Sequence, residues 1–554
     1  MSPPIPLLLH APPNPWPDRL ALATLAIVAV IAALTFRDYG LGWDDFTHAQ
    51  YGELLLSLYT SGFRDTRALS FVNLYYYGGG FDMAAAALAK IVPLDLFELR
   101  RLLGAAVGLV GLAVTWRIGR RAGGPIAGLI ALVLLAACPL YYGHMFINPK
   151  DAPFAAAMAI FLLGLVRALG QYPKPSPVTV MILGLGFGLA IGSRIMAGFG
   201  VLAASSALVL LFAIETRSSS ARMAAARLRT FLLALIPGAV LATAAMALIW
   251  PWAVINPLNL FRAIGYFADF FEKPWQELFQ GSLIQPPDMP RRYVPVLFGL
   301  KLPELFLVLS TIGVLGALID AVRPKHPPHR RAIFLSIAFA AILPILATII
   351  ARPAMYNGIR HFVFVLPPLA VAGGLAAAFI AERAAKLSRA AKSFAGLIFL
   401  AGIALPVIGM ARLHPYEYVY FNRIAGGVGA AQSSYMLDYW GLAFKQAADA
   451  LRAKLAERGE GQFSGRKWKI AVCGPHPPAQ IALGEQFEPT WDPKGADFAL
   501  MLGTFYCARL DAPLLAEVVR DGVSFARAYD LRGRDVPSLF TLPPVTREKA
   551  GAIR

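Results

Sequence analysis

The sequence predicts a polytopic α-helical membrane protein of about eleven transmembrane helices, followed by a small C-terminal α/β domain outside the cytoplasm. Three observations predict it. The 554 residues are 57% hydrophobic and 15% charged, whereas a soluble globular chain carries roughly 25% charged residues. Separate apolar runs, each near the ~20 residues that cross a bilayer, recur through the first 411 positions. Lys and Arg cluster in alternate loops between those runs, hence on one side of a membrane. The same features exclude a soluble enzyme, a disordered or collagenous chain, a coiled coil and a disulfide scaffold. A transmembrane barrel is excluded because its strands alternate and contain no long apolar run.

The first run covers 20–36. Pro-rich sequence precedes it and no small-residue cleavage site follows, so it reads as an uncleaved span rather than a signal peptide. Further runs lie at 99–116, 124–141, 152–168, 178–193, 195–213, 231–252, 293–318, 332–350, 361–381 and 393–411. The stretch 81–92 is too short to span and reads as an interfacial helix. Four basic clusters fall on one side: Arg117, Arg120 and Arg121; Arg217, Arg222, Arg227 and Arg229; Arg323, Lys325, Arg330 and Arg331; and Arg383, Lys386, Arg389 and Lys392. That side is the cytoplasm by the positive-inside tendency. The segments 37–98, 142–151, 253–292 and 351–360, and everything after 411, then face outward.

The chain divides into a membrane domain, 1–411, and a soluble domain, 412–554. In the tail, 467–473, 497–502 and 523–529 read as strands, and 442–458 and 511–519 have helical spacing. Cys473 and Cys507 both fall in this tail, where an oxidising compartment lets a disulfide persist. Cys138 sits apart in an apolar run. The net charge of +18 reflects loop charges that set topology. It marks no nucleic-acid surface, because no basic stripe interleaves with aromatics.

Carboxylates beside apolar spans are the informative residues, since a charge near hydrocarbon is costly and needs a reason. Asp44 and Asp45 follow the first span closely. Adjacent residues cannot share one helix face, so at most one of them points at a given target. Asp at the start of a helix over 45–59 would also serve as an ordinary cap. Asp151, beside Lys150, lies at the outer mouth of the fourth span. A third outward turn carries Tyr356, Arg360 and His361, and Arg194 sits at the tip of another. Cations at span mouths snorkel to lipid head groups, and Arg also holds phosphate bidentately.

Together these residues resemble the GT-C superfamily of membrane glycosyltransferases, nearest in pattern to the protein O-mannosyltransferases and the lipid A aminoarabinose transferases. The resemblance rests on the acidic pair Asp44-Asp45 and on the stretch 77–101, which ends in Glu98-Leu99-Arg100-Arg101. It also rests on the basic hairpin tip Arg117–Arg121 and the second acidic turn with Asp151. It covers 20–411. Asp-Asp stands where protein O-mannosyltransferases typically carry Asp-Glu. The resemblance implies a sugar donor linked to a polyprenyl phosphate, used on the outer face of the cell (inner) membrane. The acceptor would be a lipid, a glycan or a protein. Asp44 or Asp45 would be the base, Asp151 the supporting acid, and Lys150, Arg360, Tyr356, His361 and Arg194 the phosphate contacts. No cofactor is certain. Three outward carboxylates with His48 could hold a divalent cation such as Mg²⁺.

The rival reading is a transporter or lipid flippase. Transporters often show inverted repeats and helices broken at mid-membrane. No paired halves stand out here, and the acids lie at span mouths. A catalytically dead scaffold is a third reading, to which the acids at both sites give no role.

Overall fold

The computed structural model describes residues 15–268, 276–386, 388–460 and 465–541. The Pro-rich segment 1–14 that precedes the first span lies outside the described residues. Among the described residues, nine helices are long and apolar enough to cross a membrane. One of them, Leu96–Ala136, is really a hairpin. Gly124 adopts φ 88° and ψ −178°, and Pro125 opens the second arm. A side chain at Gly119 would stand 3.0 Å from Ala127 and Gly128 of the returning arm, so glycine permits the close crossing. That arm continues past a bend into Pro139–Ile147. The extra arm and the 17-residue apolar helix Pro177–Ser193 bring nine to eleven, the number that the apolar runs predict. These helices make the chain an integral, multi-pass membrane protein.

The short helix packs by means of small residues. Gly184 lies against Gly238, Gly186 against Phe161 and Gly188 against Ala242, each too near for a Cβ. The predicted interfacial helix is Gly80–Ala89. The predicted span 293–318 is divided: Tyr293–Lys301 ends before Pro303, and the crossing helix is Glu304–Val322. Proline at 303 lacks the N–H that continuity would require.

At one end of the bundle the basic loops are tied down. Arg120 pairs with Asp18 at 2.8 Å and Arg227 with Glu215 at 2.9 Å. Arg331 donates to the carbonyls of Ala321 and Val322, both at 2.8 Å. The candidate acids and their cations lie at the opposite end.

Before the Tyr293 helix, strands β1 (Glu277–Phe279) and β2 (Ser282–Ile284) form a small antiparallel hairpin. The tail builds a second sheet from β3 (Trp468–Cys473), β4 (Phe487–Thr490), β5 (Phe498–Leu502), β6 (Leu514–Arg520) and β7 (Val523–Asp530), in the order β4-β3-β5-β7-β6. The helix expected at 511–519 is therefore a strand. The sequence after it explains why: Asp521 and Gly522 take φ of 46° and 76°, the geometry of a two-residue hairpin turn, so β6 returns at once as β7. Phe444–Glu457 is the expected helix.

The tail docks tightly on the bundle. Arg412 pairs with Asp521 at 2.8 Å, and Arg520 donates to the carbonyl of His414 at 2.8 Å. The Tyr416 and Phe525 rings stack at 4.9 Å. One buried apolar cluster runs from the spans into the sheet without a break.

Cys473, at the end of β3, is bridged to Cys507 with 5.9 Å between Cα atoms, while Cys138 is a buried free thiol. Alkylating the denatured, unreduced chain should therefore modify one cysteine, and prior reduction should raise the count to all three. Losing the bridge should cost the tail ~2–4 kcal/mol, read as a lower melting temperature of Cys473→Ser.

Candidate functional site

Adjacent acids on one turn face different partners, and Asp44 and Asp45 do. Asp45 is fully buried and takes the fork of Arg101, with Nη2 to Oδ2 at 2.6 Å and Nη1 to Oδ1 at 3.0 Å. The amide of Gly42 donates to the same carboxylate at 2.8 Å. Arg101 is itself consumed, donating also to the carbonyls of Gly40 (2.6 Å) and Phe146 (3.3 Å). Asp45 is thus a saturated structural anion. Asp44 stands at the cap of Asp45–Thr60, yet its side chain makes no capping hydrogen bond. It is half-buried and within electrostatic reach of Lys150, Tyr356 and Arg360.

The second acidic turn is organised by Asn148. Its side-chain oxygen accepts from the amides of Lys150 (3.1 Å) and Asp151 (2.8 Å), and its amide donates to Asp151 Oδ2 at 2.8 Å. Asn148, not Asp151, therefore does the capping work. Asp151 is left to face cations: Arg194 Nη2 lies 2.5 Å from Oδ1, and Arg360 Nη1 lies 3.9 Å from Oδ2. Arg194 reaches it because the residue after the Pro177–Ser193 helix turns extended, with φ −151° and ψ 139°.

Aromatic faces hold the cations. Lys150 Nζ lies 4.7 Å and the Arg194 guanidinium 5.5 Å from the centre of the Tyr77 ring. The Arg360 guanidinium lies 5.3 Å from Tyr356 and 5.0 Å from Trp440. His361 meets Tyr356 edge-on at 5.3 Å. Burial pushes the Lys150 ammonium down to about 8, against the opposing pull of Asp44. Burial raises the Tyr356 hydroxyl. Three cations thus surround two carboxylates, and the Nε atoms of Arg194 and Arg360 and Nδ1 of His361 are buried without a hydrogen-bond partner. Such a surplus of positive charge and unused guanidinium donors suits an anion.

Two further networks support this cluster. His48 Nδ1 contacts Asp82 Oδ2 at 2.6 Å, and Arg100 donates to Asp82 Oδ1 at 2.6 Å. Burial holds the His48 imidazole below its usual range, against the pull of Asp82. The buried Glu277 accepts from the amide of Asn357 and from the hydroxyl of Tyr293, both at 3.1 Å, and that hydroxyl accepts from the amide of Gly358 at 3.0 Å. These bonds fix the turn carrying Tyr356 and Arg360, where Asn357 and Gly358 have φ of 56° and 68°.

Of the residues singled out in the sequence, Asp44, Lys150, Asp151, Arg194, Tyr356, Arg360 and His361 come together. Asp45 turns away to Arg101, and His48 to Asp82. Among the described residues no group of three or more His, Cys, Asp or Glu could hold a metal ion. Sequence reasoning missed Asp82, Asn148, Glu277 and Trp440. Asp82 carried a usable signal, a lone acid in an apolar interfacial helix.

Residues 84–251 match the family described as dolichyl-phosphate-mannose-protein mannosyltransferase. No curated protein matches the chain. Among solved structures, ArnT from Cupriavidus metallidurans bound to undecaprenyl phosphate is similar at 16% identity, covering 95% of this chain and 99% of that one, with a TM-score of 0.46. The Archaeoglobus fulgidus oligosaccharyltransferase in its apo form is similar at 15% identity, over 86% of this chain and 65% of that one, with a TM-score of 0.48. AglB from the same organism, in complex with an inhibitory peptide and a dolichol-phosphate, is similar at 14% identity, over 95% and 76%, with a TM-score of 0.46. The matched family is thus described as a mannosyltransferase, and the two Archaeoglobus fulgidus structures as oligosaccharyltransferases.

The two acids should separate by experiment. Asp45→Ala strands the Arg101 charge in the bundle, and breaking a buried pair costs ~3–5 kcal/mol. Its melting temperature in detergent should fall well below that of Asp44→Asn. Equal melting temperatures would overturn the division of roles.

Proposed function

We propose that this chain transfers a hexosyl or pentosyl group from a polyprenyl-phosphate donor to a lipid, glycan or protein acceptor on the outer face of the cell membrane, with inversion. The observation that carries the reading is the cluster of Lys150, Arg194 and Arg360 around Asp151, with a half-buried second acid, Asp44, within electrostatic reach of Lys150 and Arg360. The positive-inside pattern supports an outward site and an outward tail, with 1–411 as the transferase unit and 412–554 as its soluble domain.

The acceptor hydroxyl attacks the anomeric carbon as the bond from that carbon to the phosphate oxygen breaks. The hydroxyl proton goes to the Asp44 carboxylate. The electron pair leaves on the polyprenyl phosphate, so the leaving group needs no general acid. Lys150 and the Arg360 fork stabilise the developing phosphate charge from preorganised positions. Asp151 holds Arg194 and steadies Arg360. It also keeps the empty cluster from being three uncompensated charges in a low-dielectric site.

Transfer of labelled sugar from a polyprenyl-phosphate donor in reconstituted vesicles tests the reading. A chain that supports no transfer with any such donor, yet moves a solute or lipid, would instead be a transporter. Asp44→Asn should slow transfer by ~10²-fold or more with the fold intact, as the loss of a general base does. Arg360→Lys should weaken donor affinity although the charge is kept, because the planar fork is lost.

Donor affinity should also depend on pH. Lys150 is charged below its pKa of about 8 and neutral above it, while a phosphodiester keeps its single charge throughout. Binding should therefore weaken as pH rises from about 7 to about 9. Lys150→Arg, with its far higher pKa, should flatten that profile. A wild-type profile that is already flat would remove Lys150 from the phosphate site.

A further inference from the structure

The soluble tail reaches into the anion-facing cluster through one loop, Asp438-Tyr439-Trp440-Gly441. Asp438 makes that loop rigid. Its carboxylate accepts from the amides of Gly441 (2.9 Å), Leu442 (3.1 Å) and Ala443 (3.2 Å) and from the hydroxyl of Tyr418. Gly441 takes φ 76°, and a side chain there would stand 3.0 Å from Pro475 and 3.3 Å from Leu502. The loop therefore rests on the ends of β3 and β5, beside the Cys473–Cys507 bridge.

From this platform Trp440 touches both halves of the site. Its carbonyl accepts from the amide of Trp43 at 3.1 Å, next to Asp44. Gly42 lies against the indole with no room for a Cβ. The opposite contact is the Arg360 guanidinium, 5.0 Å from the ring. The adjacent Tyr439 bonds His144 Nε2 at 3.1 Å, and His144 leads through Asn148 (3.3 Å) to Asp151 (2.8 Å). Trp440 is 4% exposed, so it acts through its neighbours rather than on a substrate.

We propose that Trp440 is a positioning residue: the soluble tail uses it as a clamp that holds the Asp44 loop and Arg360 in register across the site. The sheet, the Asp438 turn and the indole then form one rigid path from the tail to the phosphate-binding cation. The tail becomes part of the active site's scaffold instead of an appended module. The donor readout below rests on the proposed transferase reading, whereas the exchange readout does not.

The test uses the full chain in detergent with Trp440→Ala, Trp440→Leu and Trp440→Phe. In hydrogen exchange, the amides of 43–48 and 356–361 should lose protection together in the Ala and Leu variants, while β3, β5 and β7 keep theirs. Donor KM should rise about tenfold, the equivalent of ~1.4 kcal/mol for a desolvated cation–π contact, and Phe should restore most of it. With Arg360→Gln already in place, Trp440→Leu should add little, because the partner is gone. The same KM penalty in both backgrounds would reduce Trp440 to general packing and overturn the proposal. Unchanged exchange in both segments would overturn it as well. Should Trp440→Ala also loosen the sheet, Trp440→Leu decides, since it keeps bulk without a π face. A wild-type chain that transfers no sugar, with the paired loss of protection still seen in Trp440→Leu, would sink the transferase reading and leave the clamp standing.

Discussion

A carboxylate enclosed in an apolar bundle needs a cation or a set of hydrogen-bond donors, and here cations answer that need for three acids near the membrane. Isolated burial of a charge costs several kcal/mol even after relaxation. Asp45 meets the cost with both arms of Arg101 and the Gly42 amide. Asp82 meets it with Arg100 and His48. Asp151 meets it with Arg194, with Arg360 further off. The pairs differ in what they leave over. Around Asp45 both guanidinium arms and both carboxylate oxygens are used. Around Asp151 the charges do not cancel, because Lys150, Arg194 and Arg360 outnumber the acids, and Nε of each arginine lacks a partner. The Asp82 pair also leaves Arg100 Nε and Nη1 and His48 Nε2 without a partner, so what sets the Asp151 cluster apart is its surplus of cations.

The fold was legible because hydrophobicity and charge sidedness are properties of single segments. Length alone separates a span from the interfacial helix Gly80–Ala89, and Gly124-Pro125 announces a reversal. The errors have local causes as well. The run 293–318 was read through Pro303, which breaks it, and 511–519 was read for helical spacing although Asp521-Gly522 is a hairpin signal. In the site, the outward acids and cations could be found because each lies at a span mouth. The choice between Asp44 and Asp45 could not be made, since it depends on where Arg101 projects from a helix more than fifty residues away. The stretch Asp438-Tyr439-Trp440-Gly441 stands out in the sequence, yet nothing near it tells that the Trp440 ring meets Arg360.

The polar support beneath the site is layered, and the layers act on different atoms. Asn148 takes the helix-capping duty that would otherwise bind Asp151 to its own backbone. Glu277 and Tyr293 take the amides of Asn357 and Gly358, both at positive φ, and so set the direction of Arg360. Burial raises the Glu277 carboxyl to about 6, even against the hydrogen bonds it accepts. Proton uptake there on acidification would cost the turn an acceptor. The cation's geometry thus depends on a residue that no substrate touches.

The same logic bears on why the sheet of the tail is fastened to the spans. A guanidinium at a span mouth, such as that of Arg360, sits where apolar helices end and lipid head groups compete for it. Side chains there snorkel freely unless something fixes them. Spans cannot supply that constraint beyond their own ends, because the helix stops and its mouth is irregular chain. A sheet docked over the mouth can, since its strands are rigid and its loops project back toward the membrane. The continuous apolar core from the spans to β3 and β5, the Arg412–Asp521 and Arg520–His414 contacts and the Asp438 turn together fasten the tail to the bundle. An indole carried on that frame meets the Arg360 guanidinium from a side that the membrane helices do not cover.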